Sequence, residues 1–421
     1  MTTLSYQVAG AGGGDGGERP PRKWKDWALE RETELRLEAP DQEGSLIDIK
    51  LVRGTAEVFG TEVARNQSYS LCPRMKLAIF TWHGCTVRVE GEPQVAYISE
   101  ETPMIMYLNT HIAVDQLRHR REKEGQIGPR VMLAGATDVG KSTLCRLLLS
   151  YAARLGRQPC LVDCDVGQGS VSIPGSLCVL SVERPADIET GEFNKQASLV
   201  YSYGATTPSD NFKLYTTVVT SMAAMFRERC TARPATKSGG CVINTCGWVE
   251  GQGYNALVHV AEAFEVDVVL VLDHERLTLD LQRDLPKTTE IVPLPKSGGV
   301  VARTREFRRR NREDAVREYF YGKRPHLLSP FSFEVAFSDI QICKIGVMVT
   351  QHRRQHFLFI SAPAVPQSAL PLGMEKVDGS VLLVHEEPTK QLSHTIVSLS
   401  MANSTEEDVA STPSAGFPLH H

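Results

Sequence analysis

The chain is 421 residues long, with 42% hydrophobic and 23% charged residues. At about 150 residues per domain, that is two or three domains with room for a sizeable core, which excludes a disordered, fibrous or minimal scaffold. Lys and Arg number 46 against 50 Asp and Glu, a net charge of −4, so nucleic acid would need a local basic patch. The 10 cysteines show no two-residue Cys spacing and are read as reduced thiols of a soluble cytosolic or nuclear protein rather than as zinc ligands or disulfides. The apolar runs are too short to cross a bilayer and residues 1–10 lack a signal-peptide pattern, so no membrane is expected.

In chain order, residues 1–29 are read as a disordered lead, Gly-rich between Ala9 and Pro21. Over 30–115 short alternating apolar runs, separated by Gly, Pro and Asn, predict a small antiparallel β domain. The charged stretch 115–124 is helix-compatible and the break at 125–129 follows it. Through 116–325 continuous apolar runs alternate with helical stretches: 131–134, a helix over 141–155, 160–163, 241–245, a helix near 254–264, and 266–272. Buried parallel strands read this way, so a doubly wound α/β domain is predicted. Alternating runs at 331–337, 381–384 and 395–399 predict a β-rich domain over 326–400, and 401–421 reads as a Ser/Thr-containing tail. The fold class is α/β, a central P-loop NTPase parallel sheet flanked by an N-terminal β domain and a C-terminal β-rich domain.

Residues 135–142 read G-x-x-x-x-G-K-S between an apolar run and a helix, the context in which this spacing has a mechanism. The loop turns its N–H groups around a phosphate, Gly is favoured where a Cβ would block the approach, and the helix start favours negative charge. Lys141 then reaches the β- and γ-phosphates and the Ser142 hydroxyl can ligand Mg²⁺, with Asp138, Val139, Gly140 and Thr143 completing the nucleotide-binding set. Asp163 and Asp165 follow at the end of the next strand, on the ligand edge of a parallel sheet. Either can serve Mg²⁺ or an incoming hydroxyl, or cap a turn; Asp165, further into the loop, is favoured for the reacting position, and Asp163 for the metal. Trp248, just past the strand at 241–245, either stacks on a base or covers the sheet edge. From Arg303 to Arg324 nine basic residues face four acidic ones. Arg305, Arg308, Arg309 and Arg312 share one helix face, and Ser297-Gly298-Gly299 before them reads as a hinge, so this run is read as a basic lid over a transferring phosphoryl group.

Taken together, the motifs around Asp138 to Thr143, Asp165 to Gly175, Asn244 to Trp248 and Leu294 to Val301 resemble the eukaryotic RNA 5′-hydroxyl kinases of the pre-mRNA 3′-end cleavage factor and the tRNA-splicing endonuclease complex, from about Glu30 to Phe337. The resemblance implies transfer of the γ-phosphate of ATP to the 5′-hydroxyl of RNA with Mg²⁺, in the nucleus, with tRNA-splicing endonuclease subunits and the other subunit of cleavage factor II as partners. By the same resemblance Lys141 and Ser142 are the P-loop pair, Asp165 activates the hydroxyl, and Arg303 and Arg308 are the lid arginines. Thr206 and Thr207 face the substrate, Gln168 lies in the matching substrate loop, Trp248 clasps the terminal base, and Glu34 and Lys76 hold the nucleotide base. The chain departs from the family in carrying residues 347–361 and in stopping at 417–421, where the family continues into further strands; a shortened β domain would leave a sheet edge unpaired. The alternatives are a scaffold that binds ATP without turning it over and a switch ATPase that uses water in place of the 5′-hydroxyl.

Overall fold

The computed structural model describes residues 23–41, 46–196, 198–323, 326–332, 334–336, 339–345, 349–352, 355–360, 374–376, 383–385, 395–402 and 409–419. Nine strands open the chain: β1 (Trp24–Leu29), β2 (Thr33–Glu38), β3 (Ile47–Gly54), β4 (Glu57–Val58), β5 (Thr61–Glu62), β6 (Ser68–Leu71), β7 (Lys76–Thr81), β8 (Cys85–Glu90) and β9 (Val95–Ser99). They form two antiparallel sheets, ordered β1-β8-β3-β6 and β5-β4-β7-β2-β9. Alternation does the work: Ile47, Ile49 and Leu51 of β3 and Val87 and Val89 of β8 turn inward and share a core with Leu35, Leu37 and Ile79. The sandwich includes Trp24–Leu29, which the sequence reading placed in the disordered lead; six cross-strand pairings to β8 hold it.

Helix α1 (Met104–Lys123) follows. It starts well before the charged stretch at 115 because Met104, Tyr107 and Val114 give its first turns a buried face, so the expected boundary at residue 116 falls inside a helix. The central domain then runs β10 (Arg130–Ala134), α2 (Lys141–Arg154), β11 (Cys160–Asp163), β12 (Ser176–Ser181), β13 (Leu199–Ser202), α3 (Phe212–Ala232), α4 (Pro234–Gly239), β14 (Cys241–Asn244), α5 (Gln252–Ala263), β15 (Val268–Leu272), α6 (Glu275–Asp284), β16 (Glu290–Leu294) and α7 (Arg305–Tyr321). Strands β16-β15-β10-β14-β11 are parallel neighbours. The parallel expectation holds for these five strands, and β12 and β13 extend the sheet antiparallel. No helix links β11 to β12, and without a crossover the chain can only return in the opposite direction. Met132, Ile243 and Val269 face α3 and α5 on one side of the sheet; Leu133, Val242 and Leu270 face α1 and α2 on the other.

The expectation of a tail needs correction. Ser414–Gly416 pairs with β13 at the sheet edge and with Leu399–Ser400, and Ala410 and Phe417 are buried. Those apolar anchors outweigh the polar composition around them. In the intervening region Val349–His352 and Gln355–Ile360 form an antiparallel pair, whereas the described residues between 331 and 336 are not strand. No disulfide joins any of the ten cysteines among the described residues. No helix among the described residues is long and apolar enough to cross a membrane.

Candidate functional site: a phosphate cradle facing a carboxylate loop

Strand β10 ends in Gly135 at φ 147°, Asp138 sits at φ 57°, and Gly140 at φ 95° caps α2. Glycine is required at the first of these because a Cβ on Gly135 would come 2.8 Å from the Leu272 carbonyl oxygen. Lys141, 7% exposed, opens the helix and its Nζ donates to the carbonyls of Gly135 (2.9 Å) and Ala136 (2.8 Å). Burial lowers its pKa, against the pull of the Asp165 carboxylate. Ser142 follows on the exposed side of the helix start, with Val139 buried below and Thr143 half-exposed.

Asp163 closes β11 and is nearly sealed from solvent. Its Oδ1 accepts from Asn244 Nδ2 (3.0 Å) and from the Asp165 N–H (3.2 Å), and its Oδ2 from the Ser170 N–H (3.0 Å). Burial raises its pKa even so. Asp165 accepts at Oδ1 from the N–H groups of Gly167 and Gln168, both at 3.0 Å; burial, then the Asp163 charge, pushes its pKa up to about 6. It caps its own turn, and its remaining oxygen is the one left for chemistry. Gln168 donates from Nε2 to the Gly167 carbonyl (2.8 Å).

Two further loops close in. A Cβ on Gly167 would come 2.8 Å from the Thr206 carbonyl oxygen, which sets Thr206 against the Asp165 turn; Thr207 Oγ1 lies 3.0 Å from Ser209 Oγ. A Cβ on Gly247 would meet the Thr137 backbone at 2.6 Å, so the loop after β14 rides directly on the cradle. Trp248, half-exposed, packs its ring against Gly253 at the start of α5, where a Cβ would come within 2.4 Å.

Thr304 Oγ1 caps α7 by accepting from the Phe307 N–H. The lid touches the cradle at one carboxylate: Asp138 Oδ2 accepts from the Arg303 N–H (2.8 Å) and from Arg308 Nη1 (2.9 Å). Val300 would lie 3.1 Å from a Cβ on Gly140, so the segment before α7 lies across the loop's mouth. The expected hinge glycines have a different local reason: a Cβ on Gly299 would come 2.9 Å from Arg36 Nε. Arg36 is ion-paired to the buried Glu34 (2.6 Å), which also accepts from Thr102 Oγ1 (3.2 Å). Lys76 pairs with Glu38 (2.8 Å). Glu34 lies opposite Phe80 and Lys76 opposite Glu38, so the two expected base-holding residues share a sheet face but stand about 13 Å apart along it. The structure therefore brings together Lys141, Ser142, Asp163, Asp165, Thr206 and the lid, while Lys76 stands off from Glu34. Asn244 tethers Asp163, a role without a local sequence signal, since the two meet only where β11 and β14 pair in the folded sheet.

A parallel sheet with this loop at its ligand edge and a basic helix across the mouth defines a P-loop nucleoside-triphosphate-binding protein. Residues 135–322 match the family described as mRNA cleavage and polyadenylation factor CLP1 P-loop, 28–121 the N-terminal beta-sandwich domain of polyadenylation factor, and 328–419 Pre-mRNA cleavage complex II protein Clp1. The chain is 51% identical over 403 residues to polyribonucleotide 5′-hydroxyl-kinase Clp1 of Gallus gallus, covering 96% of this chain and 90% of that one. It is 50% identical over 400 residues to the protein of the same name from Homo sapiens, covering 95% and 89%. The chain belongs to the Clp1 family. Solved structures of a wild-type Clp1p–Pcf11p complex (TM-score 0.77, 21% identity, covering 94% of this chain and 91% of that one) and of an extended Pcf11p–Clp1p interface (0.76, 21%, 95% and 92%) share its fold.

Proposed function

We propose that the protein transfers the γ-phosphate of ATP to the 5′-hydroxyl of RNA. The reading is carried by the meeting of the phosphate loop and the carboxylate loop, Lys141 buried in the first and Asp165 tied to Asp163, which shares a cavity with Ser142, in the second, and is supported by relatives named for that activity at about half identity. In this reading Lys141 exchanges the Gly135 and Ala136 carbonyls for phosphate oxygens, and Arg303 and Arg308 neutralise charge on the transferring group. Asp165 takes the proton of the 5′-hydroxyl on its free oxygen, a role suited to a carboxylate titrating near 6. Gln168, Thr206 and Thr207 orient the acceptor, Trp248 covers its terminal base, and Glu34 faces the nucleotide base, with Lys76 held away from it on Glu38; Asp138, Val139, Gly140 and Thr143 complete the cradle.

The Ser142 hydroxyl and the Asp163 carboxylate line one cavity, an all-oxygen pair that suits Mg²⁺. No cluster of three or more His, Cys, Asp or Glu ligands lies among the described residues, as befits an ion that completes its shell with phosphate and water. Held by Ser142 and Asp163, Mg²⁺ would supply neutralisation of phosphate charge.

Transfer of label from γ-labelled ATP to a 5′-hydroxyl RNA oligonucleotide, with a DNA oligonucleotide beside it, tests the reading. Absence of transfer by the wild type, or equal transfer by Asp165→Asn, overturns it. The second reading, an ATP-holding scaffold of the cleavage machinery, is favoured by one observation: Lys141, Asp165 and Arg308 are all engaged within the protein. ATP retained through purification without transfer would favour it. For partners, the reading places the protein in the nucleus with the other subunit of cleavage factor II and tRNA-splicing endonuclease subunits, supported by the Pcf11p-bound relatives and tested by co-purification from nuclear extract.

A further inference from the structure

The second turn of α2 carries a cation that no step above uses. Ser142 and Arg146 are four residues apart and share a helix face, and they line one cavity of about 30 Å³ with Asp163, Ser170, Lys195 and Asn244. Arg146 is half-buried, and among the described residues nothing accepts a hydrogen bond from it or forms an ion pair with it. Its contacts are of other kinds. The guanidinium lies 5.5 Å from the Phe59 ring centroid, and Gly191, at φ 70°, leaves room beside it, since a Cβ there would come 3.4 Å from Nη1. Glu192 and Arg303 act on it with opposite signs, but Glu192 is already paired with Lys195 at 2.9 Å. Among the side chains lining the cavity, Arg146 and Lys195 stand against Asp163 and Glu192, and the positive charge beyond that balance is Arg303 of the lid. A half-buried fork of donors with no acceptor is costly unless an anion completes it, and a guanidinium matches phosphate oxygens two at a time.

We infer that Arg146 anchors a phosphate-binding subsite adjoining Ser142, with Lys195 at its rim, that holds a phosphoryl or phosphodiester oxygen during transfer. The inference deepens the kinase reading and rests on it for its purpose. The oxygen belongs either to the nucleotide's triphosphate or to the backbone of the acceptor strand.

Full-length wild type, Arg146→Met and Arg146→Lys separate the two. Methionine keeps an unbranched chain against Phe59 and removes the charge; lysine keeps the charge without the fork. Binding of ATP and of a 5′-hydroxyl RNA oligonucleotide is measured at several salt concentrations, with melting temperature as the check on folding. Arg146→Met is expected to lose about 10- to 100-fold in affinity for one of the two ligands at unchanged melting temperature, with only partial recovery in Arg146→Lys. A loss confined to ATP assigns the triphosphate. A loss confined to RNA, with the log affinity against log salt slope shallower by about 0.7, assigns the strand. Wild-type affinity for both ligands in Arg146→Met, or losses that only track a lowered melting temperature, overturn the proposal. A wild type that transfers no phosphate defeats the kinase reading, while the ATP-binding and RNA-binding comparisons with Arg146→Met together still decide the subsite.

Discussion

Replacing Asp165 by Asn separates what this carboxylate does for chemistry from what it costs the fold. The Oδ1 atom accepts from the Gly167 and Gln168 N–H groups, and an Asn Oδ1 can do the same, so the turn survives. What changes is charge. Burial and the Asp163 charge hold the Asp165 carboxyl up at about 6 in the folded protein, well above the ordinary range of an exposed aspartate at about 4, equivalent to about 3 kcal/mol opposing ionisation. Between about pH 4 and 6 the folded protein keeps a proton that the unfolded chain has released, so stability is full below that window and declines as pH rises through it. The variant is therefore expected to be more stable than wild type at pH 7.5 by up to about 3 kcal/mol, an advantage that vanishes below about pH 4. Denaturant unfolding of nucleotide-free protein at the two pH values measures it. In the transfer assay the wild-type rate should fall as pH drops below about 6, and the variant should lose at least about 100-fold. An Asn variant no more stable than wild type at pH 7.5, or one with a wild-type rate, would refute the reasoning.

Lys141→Ala removes the group expected to meet the β- and γ-phosphates, and ATP affinity measured by calorimetry should fall by at least about 10-fold, a hydrogen-bonded charge being worth about 1.5–3 kcal/mol. Gly247→Ala drives a methyl into the Thr137 backbone, so unfolding experiments should show a loss of about 1–3 kcal/mol together with weaker ATP binding. Asp138→Ala and Arg308→Ala each break the same contact (2.9 Å). Their double mutant should be less impaired in lid protection against limited proteolysis than the two singles summed, with a coupling of about 1 kcal/mol. Arg74→Ala, which removes the sandwich's ion pair to Asp314 of α7 along with the Arg74–Asp41 pair inside the sandwich, should raise hydrogen exchange in α7 while leaving exchange in β10 and β11 unchanged.

The parts legible in the sequence are those whose chemistry is local. A phosphate loop is eight consecutive residues, and the carboxylate pair is spaced by one. The lid helix carries its own pattern, with Thr304 capping it. The mixed sheet was hidden because β12 is buried at all six positions, the same signature a parallel strand shows, and its direction is set by a missing crossover rather than by any residue. Trp24–Leu29 escaped notice because most of its side chains are exposed, leaving little alternation to read. The lid's attachment to Asp138 joins residues 165 positions apart, and no local pattern reports such a pairing. The same holds for Asn244 and Asp163, which become partners only once β11 and β14 lie side by side.

Helix α7 spans 17 residues without one buried side chain. It is fastened by Arg308 to the phosphate loop, by Asp314 to Arg74, and at its far end by Tyr319, whose ring meets Phe417 and whose hydroxyl accepts from the Phe417 N–H (3.0 Å). A helix seated on apolar contacts ignores ionic strength, but one seated on partly exposed charges does not, since mobile ions weaken such contacts. The half of the cover over the phosphate loop is therefore expected to loosen as salt rises, while Tyr319 keeps its far end on Phe417.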